Sequence, residues 1–220
     1  MTRNNIRTIA LVVATVVLVI GSYIAYQKHT ARGQVIALVK DTGTRMRTVL
    51  QSSAADEVSD AAEAHAAAAE ANARKLRELD TSSLTPLADA ADDYLITARE
   101  ILRRQAAMTR ARARLAANLE ALTAHMKTDR GASTWPQEAV RLKAPLDKDF
   151  RDYGIAVESY ASLLGSLAAS QAGIAPYVDN ALLIDDTLIK TSRQRALDAY
   201  ASTGQNMKQV TSLDAYRRAR

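Results

Sequence analysis

Histidine and paired acidic residues are the side chains of this chain that could support metal or acid–base chemistry. The histidines are His29, His65 and His125, and none of them completes the Glu-x-x-His spacing of di-iron helical bundles. The adjacent acids Asp92-Asp93 and Asp185-Asp186 would point about 100° apart on a helix, so they do not converge as a catalytic pair. The chain also contains no cysteine and no Gly-x-Ser-x-Gly motif. We therefore predict a non-enzymatic protein with no metal and no cofactor.

Arginines form the most prominent group of charged residues. Because they spread around one predicted helix, the ordinary interpretation is a solvated face, and the functional one is contact with an anionic polymer or lipid headgroups. No ladder of aromatic residues accompanies them, so nucleic acid is not the predicted partner. The arginines concerned are Arg99, Arg103, Arg104, Arg110 and Arg114, with Arg217, Arg218 and Arg220 in the C-terminal tail.

Three polar residues interrupt the apolar seams described below: Gln105, Arg112 and Gln171. Such residues can fix the register or oligomeric state of a helical bundle, line a small ligand pocket between helices, or lie at an exposed edge. Tyr94, Tyr153 and Tyr160 share these seams, and they would be further residues of such a pocket if the bundle binds a small ligand.

The stretch from Thr8 to Gln27 carries no charge and is almost entirely apolar, and Arg7 and Lys28 flank it. About 20 such residues in a helix span roughly 30 Å, the thickness of the hydrocarbon core of a bilayer. A cleaved signal peptide is the alternative, but its apolar core is shorter and ends in a small-x-small site that is not found here. The stretch 8–27 is therefore predicted to be a single transmembrane signal anchor, after a short basic tail at 1–7.

The orientation of this anchor is predicted from its flanks. A short basic N-terminal tail favours an exported domain, which would be periplasmic in a Gram-negative bacterium. However, Lys28, Arg32 and Lys40 follow the stretch, and the positive-inside rule counts them in favour of the cytoplasmic orientation. We expect the exported orientation and keep the other open.

Beyond the anchor, abundant alanine and scarce glycine and proline are typical of long helices. Apolar periodicity and turn signals predict an all-α, elongated, antiparallel four-helix bundle over 28–216, followed by a basic tail at 217–220. In this order the fourth helix returns to the anchor, which would bring the C-terminal arginines to the headgroups; a frayed, solvated tail is the alternative. The predicted helices cover about 34–79, 86–127, 136–174 and 178–213.

Local features refine these helices. Gly33, Gly43 and Gly204 would weaken or interrupt them. Pro145 predicts a kink in the third helix or a later start, and Thr134 is predicted to cap its beginning. The second helix has the clearest seam, with steps of three and four residues typical of coiled-coil packing. Its members are Leu87, Ala91, Tyr94, Ala98, Ile101, Gln105, Met108, Arg112, Leu115, Leu119, Leu122 and Met126.

An N-terminal anchor followed by a long four-helix bundle resembles the ligand-sensing domains of bacterial chemoreceptors and related sensors. The resemblance is architectural and rests on no motif, and the second membrane span and signalling region of those receptors are not found in these 220 residues. It implies a small ligand bound between helices and signalling through a partner. The leading prediction is instead a membrane-anchored scaffold, envelope spacer or accessory subunit that acts through a protein partner or as a homo-oligomer.

Overall fold

The structure is a computed structural model of the whole chain, and it describes residues 3–52, 55–128 and 134–211. For 3–28 and 55–59 it describes the backbone but, apart from Ser22 and Tyr26, not the side chains. The described part contains helices and short turns and no strand, which confirms the all-α class. Its helices are α1 Arg3–Gln51, α2 Ala55–Glu78, α3 Thr85–Met126, α4 Trp135–Lys143, α5 Leu146–Ile174 and α6 Asp186–Thr211.

The predicted anchor lies on the first part of α1, whose backbone is helical from Arg3 onward. Most side chains of this stretch lie outside the described residues. Among the residues that are described, no helix combines the length and the apolar character needed to cross a bilayer.

The single helix predicted over about 34–79 is wrong, because the chain forms two antiparallel helices there. Near one end of this pair, Asn72 of α2 donates to Asp41 and Thr42 of α1, at 2.8 and 3.0 Å. Further along, Arg45 of α1 lies 3.3 Å from the ring of His65 of α2. The break falls between Gln51 and Ala55 and not at Gly33 or Gly43, through which α1 continues.

The remaining long helices also run antiparallel to their neighbours in sequence. Glu70 of α2 pairs with Arg99 of α3, and Ser170 of α5 donates to Thr97 of α3. Tyr160 of α5 meets Ser192 of α6. Within the described ranges the bundle therefore has five long passes and not four, so the end of α6 lies at the opposite end of the bundle from the point where α1 enters it. The predicted return of the last helix to the anchor is wrong.

The central helix is α3, and most of its predicted seam is confirmed. Seam residues such as Tyr94, Ile101 and Leu115 are fully buried. On its second side, α3 contacts α2 through small residues, because the buried apolar residues in the middle of α2 are alanines. These are Ala62, Ala66, Ala69 and Ala73. The small side chains that the sequence places there thus allow two backbones to approach closely.

Aromatic rings and glycines interlock α5 with α6. Tyr200 of α6 lies over Gly154 of α5, and Phe150 of α5 lies over Gly204 of α6. The two rings are stacked, with centroids 4.8 Å apart. The helix α6 continues through Gly204, so the predicted interruption is wrong. The missing side chain of Gly204 leaves room for the Phe150 ring.

Two helix starts are clarified by the structure. Pro145 separates the short α4 from α5, which begins at Leu146, so the later start is the correct alternative. The side chain of Thr134 makes no capping hydrogen bond to α4, so the predicted cap is wrong.

Candidate functional site

A buried polar network lies in the middle of the bundle and joins four helices. The Gln105 side chain of α3 donates from Nε2 to the carbonyl oxygen of Val49 in α1, at 3.3 Å. The Tyr160 hydroxyl of α5 donates to Gln105 Oε1 at 3.3 Å, and it lies 2.7 Å from Ser192 Oγ of α6. All three side-chain partners are buried. The network therefore fixes the register of α1, α3, α5 and α6 at one level.

The groups of this network can hold helices in position but do not supply acid–base chemistry. Burial raises the pKa of Tyr160 to about 12, against the smaller opposing effects of the Ser192 hydrogen bond and of Arg195. Its phenol thus remains neutral at physiological pH. The hydrogen-bonded groups are an amide, two hydroxyls and a backbone carbonyl, and none of them can act as a general base near neutral pH.

A further buried hydroxyl lies where α1 meets α3. Tyr94 is fully buried, and its hydroxyl has no hydrogen-bond partner among the described residues. Burial raises the pKa of Tyr94 to about 12, and the nearby Arg47 guanidinium acts in the opposite direction. Gly43 leaves room for this ring, since a Cβ there would lie 3.1 Å from the hydroxyl and 2.9 Å from the Leu182 carbonyl oxygen.

Arg47 ties α1 to the segment before α6. Its Nη2 donates to the carbonyl oxygens of Ala181 and Leu183, at 3.2 and 3.0 Å. Together with the close approach at Gly43, these bonds make α1 a direct neighbour of the α5–α6 connection.

Gln171 holds the same connection from the other side. Its Nε2 donates to the Ile184 carbonyl oxygen at 3.1 Å, and its Oε1 accepts from the Ile184 N–H at 2.5 Å. The Asp185 side chain then accepts from the N–H of Thr187 at the start of α6. These bonds keep residues before Asp185 out of a regular helix, so the start predicted at 178 is wrong. Gln171 of α5 therefore holds the loop before α6 and does not join the Gln105 network.

Arg112 and Tyr153 are separated from that network as well. Tyr153 is buried and meets the edge of the Tyr200 ring at 5.6 Å. Burial raises its pKa, with Arg112 opposing the shift. Arg112 itself is exposed. The α1 helix ends at Gln51, which the Gln105–Val49 bond places level with about residue 107 of α3, so α1 does not reach this seam position.

Three of the six α3 arginines are engaged in ion pairs within the bundle. Arg99 and Arg103 both pair with Glu70 of α2, at 3.2 and 2.9 Å, and Arg110 pairs with Glu63 of α2. These pairs fasten α2 to α3, which leaves less of their charge for an anionic surface. The remaining predicted residues are Arg104 and Arg114, which are exposed, and Arg217, Arg218 and Arg220, which lie outside the described residues.

A polar group between α1 and α2 was not predicted from the sequence. It contains the bonds of Asn72 to Asp41 and Thr42, and Arg45, which donates to Asp41 at 2.8 Å and lies beside His65. The signal that could have revealed it is Thr42, a polar residue at a fully buried position of α1. Within the described ranges, no three histidine or acidic side chains come close enough to hold a metal ion.

These contacts define a helical bundle whose helices are joined by hydrogen bonds and ion pairs. No protein family, no curated protein and no solved structure matches the chain.

Proposed function

We propose that this protein is a single-span membrane protein whose helical bundle acts by protein–protein contact and not by catalysis. In this proposal the stretch Thr8–Gln27 is the membrane anchor, and the bundle is a scaffold, spacer or accessory subunit on the exported side.

The course of α1 is the observation that supports this proposal. Its contribution to the core begins at Val35, and the described side chains before it are exposed, apart from half-buried Ala31. The residues from Arg3 to Gln34 would extend about 48 Å as a helix, and they carry the uncharged stretch. An apolar helix that leaves a bundle needs another apolar environment, and a bilayer provides one.

The ties of α1 to the bundle support a mechanical role. Val49, Arg47 and Gly43 connect its last turns to α3 and to the α5–α6 connection. A helix held at several points would carry the bundle as a rigid extension of the anchor.

Membrane extraction tests the anchor. Membranes from cells that express the full chain are washed with alkaline carbonate and sedimented, and the protein is expected in the pellet until detergent is added. Replacement of both Val13 and Val17 by arginine should release it, because each arginine costs about 2.5–3.5 kcal/mol at the centre of a membrane helix. The matched control is Ile155→Arg, at an exposed position of α5. Wild-type protein in the carbonate supernatant would exclude the anchor.

The orientation is tested with a single cysteine, which is possible because the chain has none. Ser52 is exposed at the end of α1. With Ser52→Cys, a membrane-impermeant thiol reagent should label intact cells if the bundle is exported. Labelling only after lysis would show the cytoplasmic orientation.

A ligand-sensing bundle is the second candidate, and one observation favours it. The unpartnered Tyr94 hydroxyl is a buried polar group of the kind that a bound molecule could satisfy. A metabolite that raises the melting temperature of the wild type but not of Tyr94→Phe would support the sensor. A shift of equal size in both proteins would exclude Tyr94 as the binding group.

A further inference from the structure

An open groove lies at the end of the bundle away from the entry of α1, and we call it the distal groove. It has a volume of about 600 Å³ and runs between α3 and α6. It lies beyond the level at which α1 ends, and Leu119 is the residue of the α3 seam that contributes to its lining. Its lining includes Ala116, Leu119, Thr123 and Ala124 of α3, and Asn206 and Val210 of α6.

Two opposite charges stand on the rim of the distal groove. Glu120 and Lys127 lie seven residues apart, two helical turns along the same side of α3. Both are exposed, and neither makes an ion pair within 4.0 Å in the described part of the chain.

We propose that the distal groove binds the distal groove of a second copy of this chain, with the two α3 helices antiparallel. A two-fold axis between Thr123 and Ala124 would place Glu120 beside Lys127 of the second copy and repeat the contact on the other side. A parallel arrangement would instead bring like charges together. The rim charges therefore favour the antiparallel copy.

The lining of the groove suits such close packing. Ala116 and Ala124 are exposed small residues on α3, and α3 already packs closely against the alanines of α2 within the same bundle. Since α3 and α6 run in the same direction, two copies would form a four-helix arrangement in which each α3 fills the groove of the other copy. Leu119 and Val210, half-buried in one chain, would then be covered.

The dimer does not depend on the anchor, but its consequence for membranes rests on the proposed function. Because the α1 helices would leave the two copies at opposite ends, anchored copies would bridge two bilayer surfaces.

Cysteine cross-linking tests the geometry. Full-length Ala124→Cys, purified in a non-ionic detergent, is treated with a mild oxidant, and a disulfide-linked dimer is expected because position 124 lies beside the axis. The matched control is Ala168→Cys, exposed on α5 away from the groove, and it should remain monomeric. Absence of the dimer for Ala124→Cys, or equal dimer for both variants, would overturn the proposal.

Charge exchange tests the pairing. Sedimentation equilibrium of the full chain in the same detergent should show a monomer–dimer equilibrium that Lys127→Glu and Glu120→Lys each weaken about tenfold, equivalent to about 1.4 kcal/mol. The double variant Glu120→Lys/Lys127→Glu should restore the wild-type affinity. A wild-type monomer at all concentrations, or a double variant that stays weak, would overturn the proposal. The Val13 and Val17 arginine variant separates the two proposals, since it should lose membrane binding but keep the dimer.

Discussion

Replacement of Gly154 by alanine tests whether α5 and α6 are interlocked as the structure shows. A Cβ at this position would lie 2.8 Å from the Tyr200 hydroxyl oxygen and 3.0 Å from Cζ of the same ring. The ring cannot easily move away, because it stacks on Phe150 and meets the edge of Tyr153. We expect Gly154→Ala to force α6 away from α5 or to turn the ring from its packed position.

The net effect combines two opposing terms. Alanine is more favourable than glycine in a helix interior by about 1 kcal/mol, whereas overpacking costs about 1–3 kcal/mol. The variant should therefore lose about 1 kcal/mol of unfolding free energy. Gly165 provides the matched control in the same helix, because nothing lies within 4 Å of its Cβ position. Gly165→Ala should gain up to about 1 kcal/mol, so the two variants should differ by about 2 kcal/mol.

The assay is denaturant-induced unfolding of the full chain in detergent, followed by circular dichroism. A double-mutant cycle with Tyr200→Ala isolates the contact. Without the ring, Gly154→Ala should become stabilising, as at Gly165. If Gly154→Ala is already as stabilising as Gly165→Ala in the wild-type background, then Tyr200 does not lie over Gly154 and the interlock is refuted.

Two further predictions concern buried or half-buried polar groups. Tyr160→Phe should destabilise the fold by about 1–2 kcal/mol, because it removes the hydrogen bonds of the phenol within the network. Tyr94→Phe should be neutral or stabilising, because the Tyr94 hydroxyl has no described partner. Equal losses of unfolding free energy for the two variants in chemical denaturation would contradict this contrast. Burial and the Arg45 cation lower the pKa of His65 from its ordinary 6.5, and Asp41 opposes them. The folded state therefore favours neutral His65, and its contribution to stability is present above about pH 6.5 and is lost as the pH falls through the lower folded pKa. His65→Gln should make the unfolding free energy less pH-dependent between about pH 7 and 5, and an unchanged dependence would show that His65 is not the titrating group.

The sequence predicted the helical class and the central seam because both follow from local periodicity. The seam residues from Leu87 to Leu122 recur at intervals of three and four residues, as expected for the buried face of a helix. They are buried wherever a neighbouring helix covers them. Of the predicted polar residues, Gln105 and Tyr160 do meet, since both lie on seams that face each other.

The errors arose where a distant residue decides the outcome. Gly204 weakens an isolated helix, but the ring of Phe150 fills the space that the glycine leaves, and no local pattern shows this. The sequence between Gln51 and Ala55 contains neither glycine nor proline, so the antiparallel packing of α2 on α1 depends on tertiary contacts such as Asn72 with Asp41. Arg112 follows the seam as predicted, but α1 ends before it reaches that level.

The odd number of long passes has a practical consequence for any domain or fluorophore fused after α6. Val35 marks the entry of α1, and Thr211 ends α6 at the other extremity of the bundle. The central helix α3, Thr85–Met126, runs between these two ends. With a rise of 1.5 Å per residue along it, the two points are separated by roughly 60 Å. A fused reporter would thus be carried far from the first residues of the bundle, whereas an even number of passes would bring it back beside them.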